Sequence, residues 1–279
     1  MKKNPQTILI TGASSGLGRE TAIRLAGEGH KVFAGVRRKI DKEEIERLSK
    51  NITGVYIDST NHASIDKAYW FILKHTEKLD ILINNAGIAI GSPVEFIDLK
   101  KLKEQFDINT FGAVAVTQKF LPMLKNGKII NISSMAASGI FPFVSAYCAS
   151  KRALDILFNS LMLENKDNIK VISVKPSSVK TPIWNKSVKA ARACYDELND
   201  EAKNKYAKEM LMLSEKALEN NEKALEPFVI VDKIVKIVNA KNPKPSYNVG
   251  LQAIAADFLS KLPLGLTNSI VKAGLKLKK

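Results

Sequence analysis

The sequence predicts a doubly wound α/β domain: a parallel seven-stranded sheet with helices on both faces. Seven short β-rich runs alternate with longer helical patterns, the signature of strand–helix–strand units wound right-handedly. Most of these runs are continuously apolar and do not alternate, which suits strands buried on both faces of a parallel sheet. No internal repeat and no Pro/Gly/Ser-rich linker divides the chain, so residues 1–279 read as a single domain.

The first strand is expected at Thr7–Thr11, followed by glycines and a helix over Gly16–Glu28. A second strand follows at Lys31–Val36 and a third at Val55–Asp58, with the next helical pattern over Ala63–Thr76. Strand four, Ile81–Asn84, leads into one long helical stretch, Leu99–Leu124. Strand five is Lys128–Ile132, a helix covers Ala146–Leu163, and strand six is Lys170–Lys175. Residues 183–226 interrupt the alternation with Leu and Met among Lys, Glu and Asn, a pattern for helices in a cover over the site. A helix at Asp232–Asn239, strand seven at Ser246–Val249 and a helical extension over residues 251–279 complete the chain.

Composition narrows the class. Hydrophobic residues at 45% and charged residues at 25% exclude wholesale disorder. Two cysteines exclude a disulfide scaffold, and three scattered histidines without metal-ligand spacing give no metal site. The net charge of +15 is spread along the chain, not clustered in a stripe, which argues against a nucleic-acid partner. The apolar run at Thr7–Thr11 is too short for a signal segment, and no stretch approaches membrane-spanning length, so the expected address is cytoplasmic.

The turn after the first strand reads Thr11-Gly12-Ala13-Ser14-Ser15-Gly16-Leu17-Gly18. Glycines there let the backbone approach a pyrophosphate, and the helix that follows offers its unpaired N–H groups to the negative charge. In such sites an acid ending the second strand binds the adenosine ribose. Here that place holds Val36, followed by Arg37 and Arg38. A carboxylate would repel a 2′-phosphate whereas a guanidinium forks onto it, so NADP(H) is expected before NAD(H). Asp58 either accepts from the adenine amino group or caps the next helix.

Chemistry points to the second half of the chain. Tyr147 and Lys151 share one helix face at i and i+4. An ammonium beside a phenol favours phenolate and brings its proton within reach of acid/base work.

Taken in order, the TGxxxGxG of Thr11–Gly18, Asn84-Asn85-Ala86-Gly87, Asn109, Ser134 and Tyr147/Lys151 resemble the short-chain dehydrogenase/reductase family, in its single-domain branch with a Rossmann-type fold. The resemblance covers about residues 5–250 and does not extend to the TGxxGxxG branch. It implies that Tyr147 is the general acid of carbonyl reduction and the base of the reverse reaction. It implies that Lys151 lowers the pKa of Tyr147 and binds the nicotinamide ribose. By the same resemblance Ser134, in preference to Ser133, holds the substrate oxygen, and Asn109 holds a water in a proton relay to Lys151. Gly12, Ser14, Ser15, Gly16, Leu17, Gly18, Arg37, Arg38, Asp58, Asn85, Ala86 and Gly87 would line the cofactor. Pro176, Val179 and Thr181 would do so near the carboxamide or pyrophosphate, in a motif where the family usually has PG and this chain has Pro176-Ser177.

The implied activity is interconversion of a carbonyl and an alcohol. The Val-Arg-Arg strand end and the long extension look like the steroid and retinol dehydrogenase relatives, which points to a lipophilic substrate. A nucleotide-binding sensor or scaffold that lost the chemistry is the alternative. The excess of apolar positions on the Tyr147 helix suggests a homodimer or homotetramer. The tail combines eleven large apolar residues with five lysines and one acid, and Pro263 and Gly265 divide it into two helices. Three roles compete for it: packing on the substrate pocket, packing across an oligomer interface, and peripheral contact with a membrane.

Overall fold

A computed structural model of the chain describes residues 4–180, 198–206, 208–210, 212 and 224–275. Seven strands lie in the order β3-β2-β1-β4-β5-β6-β7, every neighbouring pair parallel. They are β1 (Thr7–Ile10), β2 (Lys31–Val36), β3 (Ile52–Tyr56), β4 (Ile81–Asn84), β5 (Lys128–Ile132), β6 (Lys170–Pro176) and β7 (Ser246–Val249). This is the predicted sheet. Strand β3 begins and ends earlier than expected because it pairs with β2 from Val32↔Ile52 to Val36↔Tyr56. Asp58 is left beyond the strand end.

The helices are α1 (Gly16–Gly27), α2 (Lys39–Glu46), α3 (His62–Leu73), α4 (Leu99–Phe106), α5 (Gly112–Phe120), α6 (Ser145–Glu164), α7 (Pro227–Asn239), α8 (Leu251–Leu259) and α9 (Leu264–Leu275). Helix α2 was not anticipated. It is short and polar, with Ile45 its one buried aliphatic residue, so it shows almost no hydrophobic stripe. The stretch expected as one helix at Leu99–Leu124 is α4 and α5 joined by a π-helical segment, Asp107–Phe111. The tail divides near Pro263 as expected, although α9 starts at Leu264.

Consecutive residues of β1 explain the apolar runs. Ile8 and Ile10 join one core with Leu25 of α1 and Ile230, Ile234 and Val238 of α7, whereas Leu9 points to the other face. There it meets Phe33, Ile72, Val116, Phe120, Leu154 and Phe158. Phe33 and Phe120 are fully buried, and truncating either to Ala is expected to cost about 3–5 kcal/mol. Strand order reverses between β1 and β4, and ligands of open α/β sheets bind at the carboxyl ends of strands at such a point. Among the described residues, no helix is long and apolar enough to cross a membrane.

Candidate active site

At the switch point the glycine turn is locked to β4. Thr11 Oγ1 accepts from Asn85 N (3.0 Å) and Ala86 N (3.1 Å), and Asn85 Nδ2 donates to the carbonyls of Thr11 and Gly12, both at 3.0 Å. Gly12 has φ +66°, and a Cβ there would stand 2.8 Å from Ala86 Cα. A Cβ on Gly18 would collide with the Asn85 side chain and the Gly12 carbonyl. Ser15 is the N-cap of α1 yet makes no side-chain capping bond, and no acid occupies the first turn. The start of α1 therefore keeps its N–H groups for an outside anion. Ser14 is exposed, Ser15 and Gly16 are half-buried, and Leu17 packs against the core. This cradle fits a dinucleotide pyrophosphate.

The two arginines separate. Arg38 is folded back onto Asp41 of α2, with Nε donating to Oδ2 at 2.8 Å and Nη2 to Oδ1, an arrangement that raises the guanidinium pKa further. Arg37 is exposed and has no ion-pair or hydrogen-bond partner among the described residues. Asp58 corrects one of its two expected roles: it does not cap α3. Its Oδ1 accepts from Thr60 N (3.0 Å) and Thr60 Oγ1 (2.8 Å), and the cap is Asn61, which accepts from Ser64 N.

The acid/base groups stand where β4 and β5 end and α6 begins. The Ser134 side chain acts on Tyr147, favouring its ionised form against the effect of burial. Ser134 Oγ also accepts from Ala136 N at 3.1 Å, whereas Ser133 Oγ is buried without a partner. Lys151 is buried on the same helix as Tyr147; its Nζ donates to the Ile132 carbonyl at 2.9 Å and lies 6.0 Å from the Tyr147 ring centre. Burial pulls the Lys151 amine down to about 8, opposed by the Asp155 carboxylate. Contrary to expectation, Tyr147 is raised above its ordinary value, burial outweighing the opposing effect of the Ser134 side chain.

The π-helical segment carries Asn109. Its Oδ1 accepts from Ile88 N (2.8 Å), and its Nδ2 donates to the Ile88 carbonyl (2.8 Å) and to Ser150 Oγ (3.0 Å). Ser150 Oγ in turn donates to the Tyr147 carbonyl at 2.8 Å. A Cβ on Gly87 would reach 3.2 Å from Asn109 Oδ1 and 3.4 Å from Lys151 Nζ. Asn85-Ala86-Gly87 thus joins the glycine turn to the lysine. Sequence reasoning missed Ser150 and Asp155. Both stand at helical spacing from the pair, three residues from Tyr147 and four from Lys151, and that spacing was their only signal.

Pro176 ends β6, and Val179 is buried and bridges Leu225. Ser177, in the position where glycine was anticipated, fits because a glycine faces it: Gly250, with φ +100°, leaves its Cβ position to the Ser177 hydroxyl. Thr181 lies outside the described residues, as does much of the 183–226 segment. In the described part, residues 200–206 are helical, and the Tyr206 ring stands edge-on to Phe96 and Phe143 at 6.1 and 5.8 Å. Tyr206 OH donates to Glu95 Oε2 at 2.6 Å and Lys205 Nζ to Oε1 at 2.7 Å, contacts that lower the Glu95 carboxyl.

The short chain dehydrogenase family model matches residues 6–192. This chain is a short-chain dehydrogenase. It is therefore an oxidoreductase of that family. It is 35% identical to the 3-ketodihydrosphingosine reductase of Bacteroides thetaiotaomicron, over 93% of this chain and 94% of that one. It is 30% identical to the NADPH-dependent 3-dehydrocapnine reductase of Ornithobacterium rhinotracheale, over 86% and 87%. A short-chain dehydrogenase structure from Streptomyces avermitilis shares the fold with TM-score 0.77 and 24% identity, covering 99% of this chain and 96% of that one.

Proposed function

We propose that this short-chain dehydrogenase is an NADP(H)-preferring carbonyl reductase or alcohol dehydrogenase with a lipophilic substrate. The observation that carries the chemistry is the Tyr147 ring 6.0 Å from the buried amine of Lys151, with the Ser134 side chain acting on the same phenol. When bound, the nicotinamide supplies the hydride. Tyr147 donates its phenolic proton to the carbonyl oxygen, and Ser134 donates a hydrogen bond to the same oxygen as negative charge develops there. Lys151 holds the ribose, and Asn109 ties α6 to the strand β4 end. Arg37, exposed after Val36, receives the 2′-phosphate, and the relative named as an NADPH-dependent reductase agrees with that preference.

A lipophilic substrate is supported by the aromatic contacts that Tyr206, in the 183–226 segment we assign as a lid, makes with Phe96 and Phe143. The raised Tyr147 keeps its proton at neutral pH, which suits reduction. A sensor without chemistry would have no use for a half-buried phenol beside a buried amine. The decisive assay mixes NADPH with ketones of increasing hydrophobicity and follows the nicotinamide absorbance. Tyr147→Phe is expected to lower kcat by about 10²–10⁴-fold while NADPH still binds. No turnover of any ketone by protein that binds NADPH would make the chain a sensor.

Two aspects of assembly and address belong to this reading. The exposed Ile156, Leu157 and Leu163 of α6 suit a homodimer or homotetramer, and a monomer mass by sedimentation equilibrium would overturn it. A cytoplasmic enzyme touching a bilayer is favoured by α8, which buries Ala253 and Ala256 but leaves Leu251, Ile254 and Phe258 86%, 54% and 64% exposed.

A further inference from the structure

A cavity of about 710 Å³ lies between the 135–141 loop, α6 and the inner faces of α8 and α9. Sites for small molecules commonly have about 300–1,000 Å³. Its walls include Met135 and Cys148, the sequence neighbours of Ser134 and Tyr147, while Ser134 and Tyr147 themselves do not line it. Burial pushes the Cys148 thiol up to about 11, which leaves it neutral and apolar in the wall.

Polarity in this cavity is segregated. The side formed by the C-terminal helices is mainly aliphatic, with Leu259, Leu262, Leu264 and Val271 beside the single amide of Gln252. Two hydroxyls on that side are already spent on backbone: Thr267 Oγ1 donates to the Leu259 carbonyl at 3.1 Å, and Ser260 Oγ to the Asp257 carbonyl at 2.8 Å. The opposite side is different. Ser138 is 8% exposed, and its Oγ has no hydrogen-bond partner among the described residues. Arg152 spends one N–H on the Ala137 carbonyl at 3.2 Å, beside Ser138, and is the one charged side chain among the described lining residues. A guanidinium has five N–H donors, so the others remain for a ligand. An orphaned buried hydroxyl and a cation at one side, facing an aliphatic roof, match the two ends of an amphiphile.

We propose that this cavity binds a single alkyl chain bearing an anionic head group, the chain under α8 and α9 and the head at Arg152 and Ser138. The chain has two sources, a separate long-chain acid or the tail of the enzyme's own substrate; only the second rests on the reductase reading.

The test titrates full-length protein, loaded with NADPH, with cis-parinaric acid and reads its fluorescence. Saturable one-to-one binding is expected. Ala255→Trp and Leu262→Trp, which project an indole into the cavity from its rim, should each weaken binding at least tenfold. Arg152→Gln should weaken the acid about fivefold and leave the matching alcohol unchanged, as loss of a charge-assisted hydrogen bond predicts. Absence of saturable binding, or undiminished binding in both indole variants with native circular dichroism, overturns the site. Ketones of rising chain length separate the sources. A chain-length dependence of kcat/KM that is lost in Ala255→Trp identifies the substrate tail, and parinarate binding that leaves ketone turnover unchanged identifies a separate acid. Because parinarate binding reads no turnover, failure of the site and failure of the reductase reading remain distinguishable.

Discussion

The carboxylate of Asp155 lies one helical turn beyond Lys151 on α6 and opposes the burial that pulls the Lys151 amine down to about 8. Asp155 is itself buried, accepts from Ser173 Oγ at 2.8 Å and pairs with Lys175 at 3.1 Å. It thus couples the amine behind the active tyrosine to strand β6. Because the amine is lower in the fold than a free lysine, folding disfavours its proton. That cost is absent above the usual lysine range and fully present below about 8. Binding of the ribose needs the ammonium, so NADPH affinity should fall as pH rises through about 8. Asp155→Asn removes the supporting charge and should move that fall to lower pH, while Asp155→Glu should restore it. Fluorescence titration of NADPH between pH 6 and 10 measures the shift, and an unchanged profile in Asp155→Asn would remove Asp155 from this role.

Much of this site was legible because its signals are local. The glycine turn, the Asn85–Gly87 segment and the Tyr147/Lys151 spacing are each written within a few consecutive residues. The sheet was legible because strands buried on both faces cannot alternate, as Ile8, Leu9 and Ile10 illustrate. What escaped depends on contacts distant in sequence or on small changes of helical pitch. The π-helical segment adds no breaker residue to the sequence, yet it turns Asn109 toward Ile88 and Ser150. Helix α2 lacks an apolar stripe and is edged by charge pairs such as Lys39–Glu43 and Lys42–Glu46. Nothing in the sequence marked Asp41 as the residue that would take Arg38 away from the cofactor site.

Arg37 and Arg38 should respond differently to removal. Arg37→Ala deletes the free guanidinium and is expected to raise the NADPH Kd about 10–100-fold, the equivalent of about 1.5–3 kcal/mol for a charge-assisted bond. NADH binding should change less than twofold. Arg38→Ala takes the exposed partner from the buried Asp41 carboxylate, so it should cost stability and leave the NADPH preference intact. Isothermal titration of both cofactors with both variants checks the contrast. An equal loss of NADPH affinity in the two would return Arg38 to the site.

Asn109 is a hinge pin between β4 and α6. Asn109→Ala strands the buried backbone groups of Ile88 and frees Ser150, so the protein should lose about 1–3 kcal/mol of stability. Turnover should fall further than the folded fraction explains, because Ser150 bonds the Tyr147 carbonyl. Asn109→Asp, isosteric but unable to donate, should keep the bond from Ile88 N and lose those to the Ile88 carbonyl and Ser150. Thermal melts paired with kcat at a temperature well below both midpoints separate folding from catalysis. Normal kcat in folded Asn109→Ala would confine the residue to structure.

The outer face of the C-terminal helices provides the last prediction. Helix α8 turns Ala253 and Ala256 inward and its Leu251, Ile254 and Phe258 outward, and α9 leaves Leu266 and Ile270 exposed beside Lys272, with Lys261 between the two helices. A helix pair that buries small residues and exposes large ones has its apolar surface facing away from its own core. An anionic bilayer would take those side chains, with each lysine near the surface contributing about 1 kcal/mol. The full chain should therefore co-sediment with vesicles containing phosphatidylserine, less with neutral vesicles, and less again at high salt. Ile254→Glu with Phe258→Glu places two carboxylates on exposed positions that no core contact requires, so the fold should survive while vesicle binding is lost. If the wild-type chain stays in the supernatant with anionic vesicles, the exposed face belongs to a second copy of the protein, and sedimentation equilibrium of the double variant, expected then to give a smaller assembly than the wild type, tests that assignment directly.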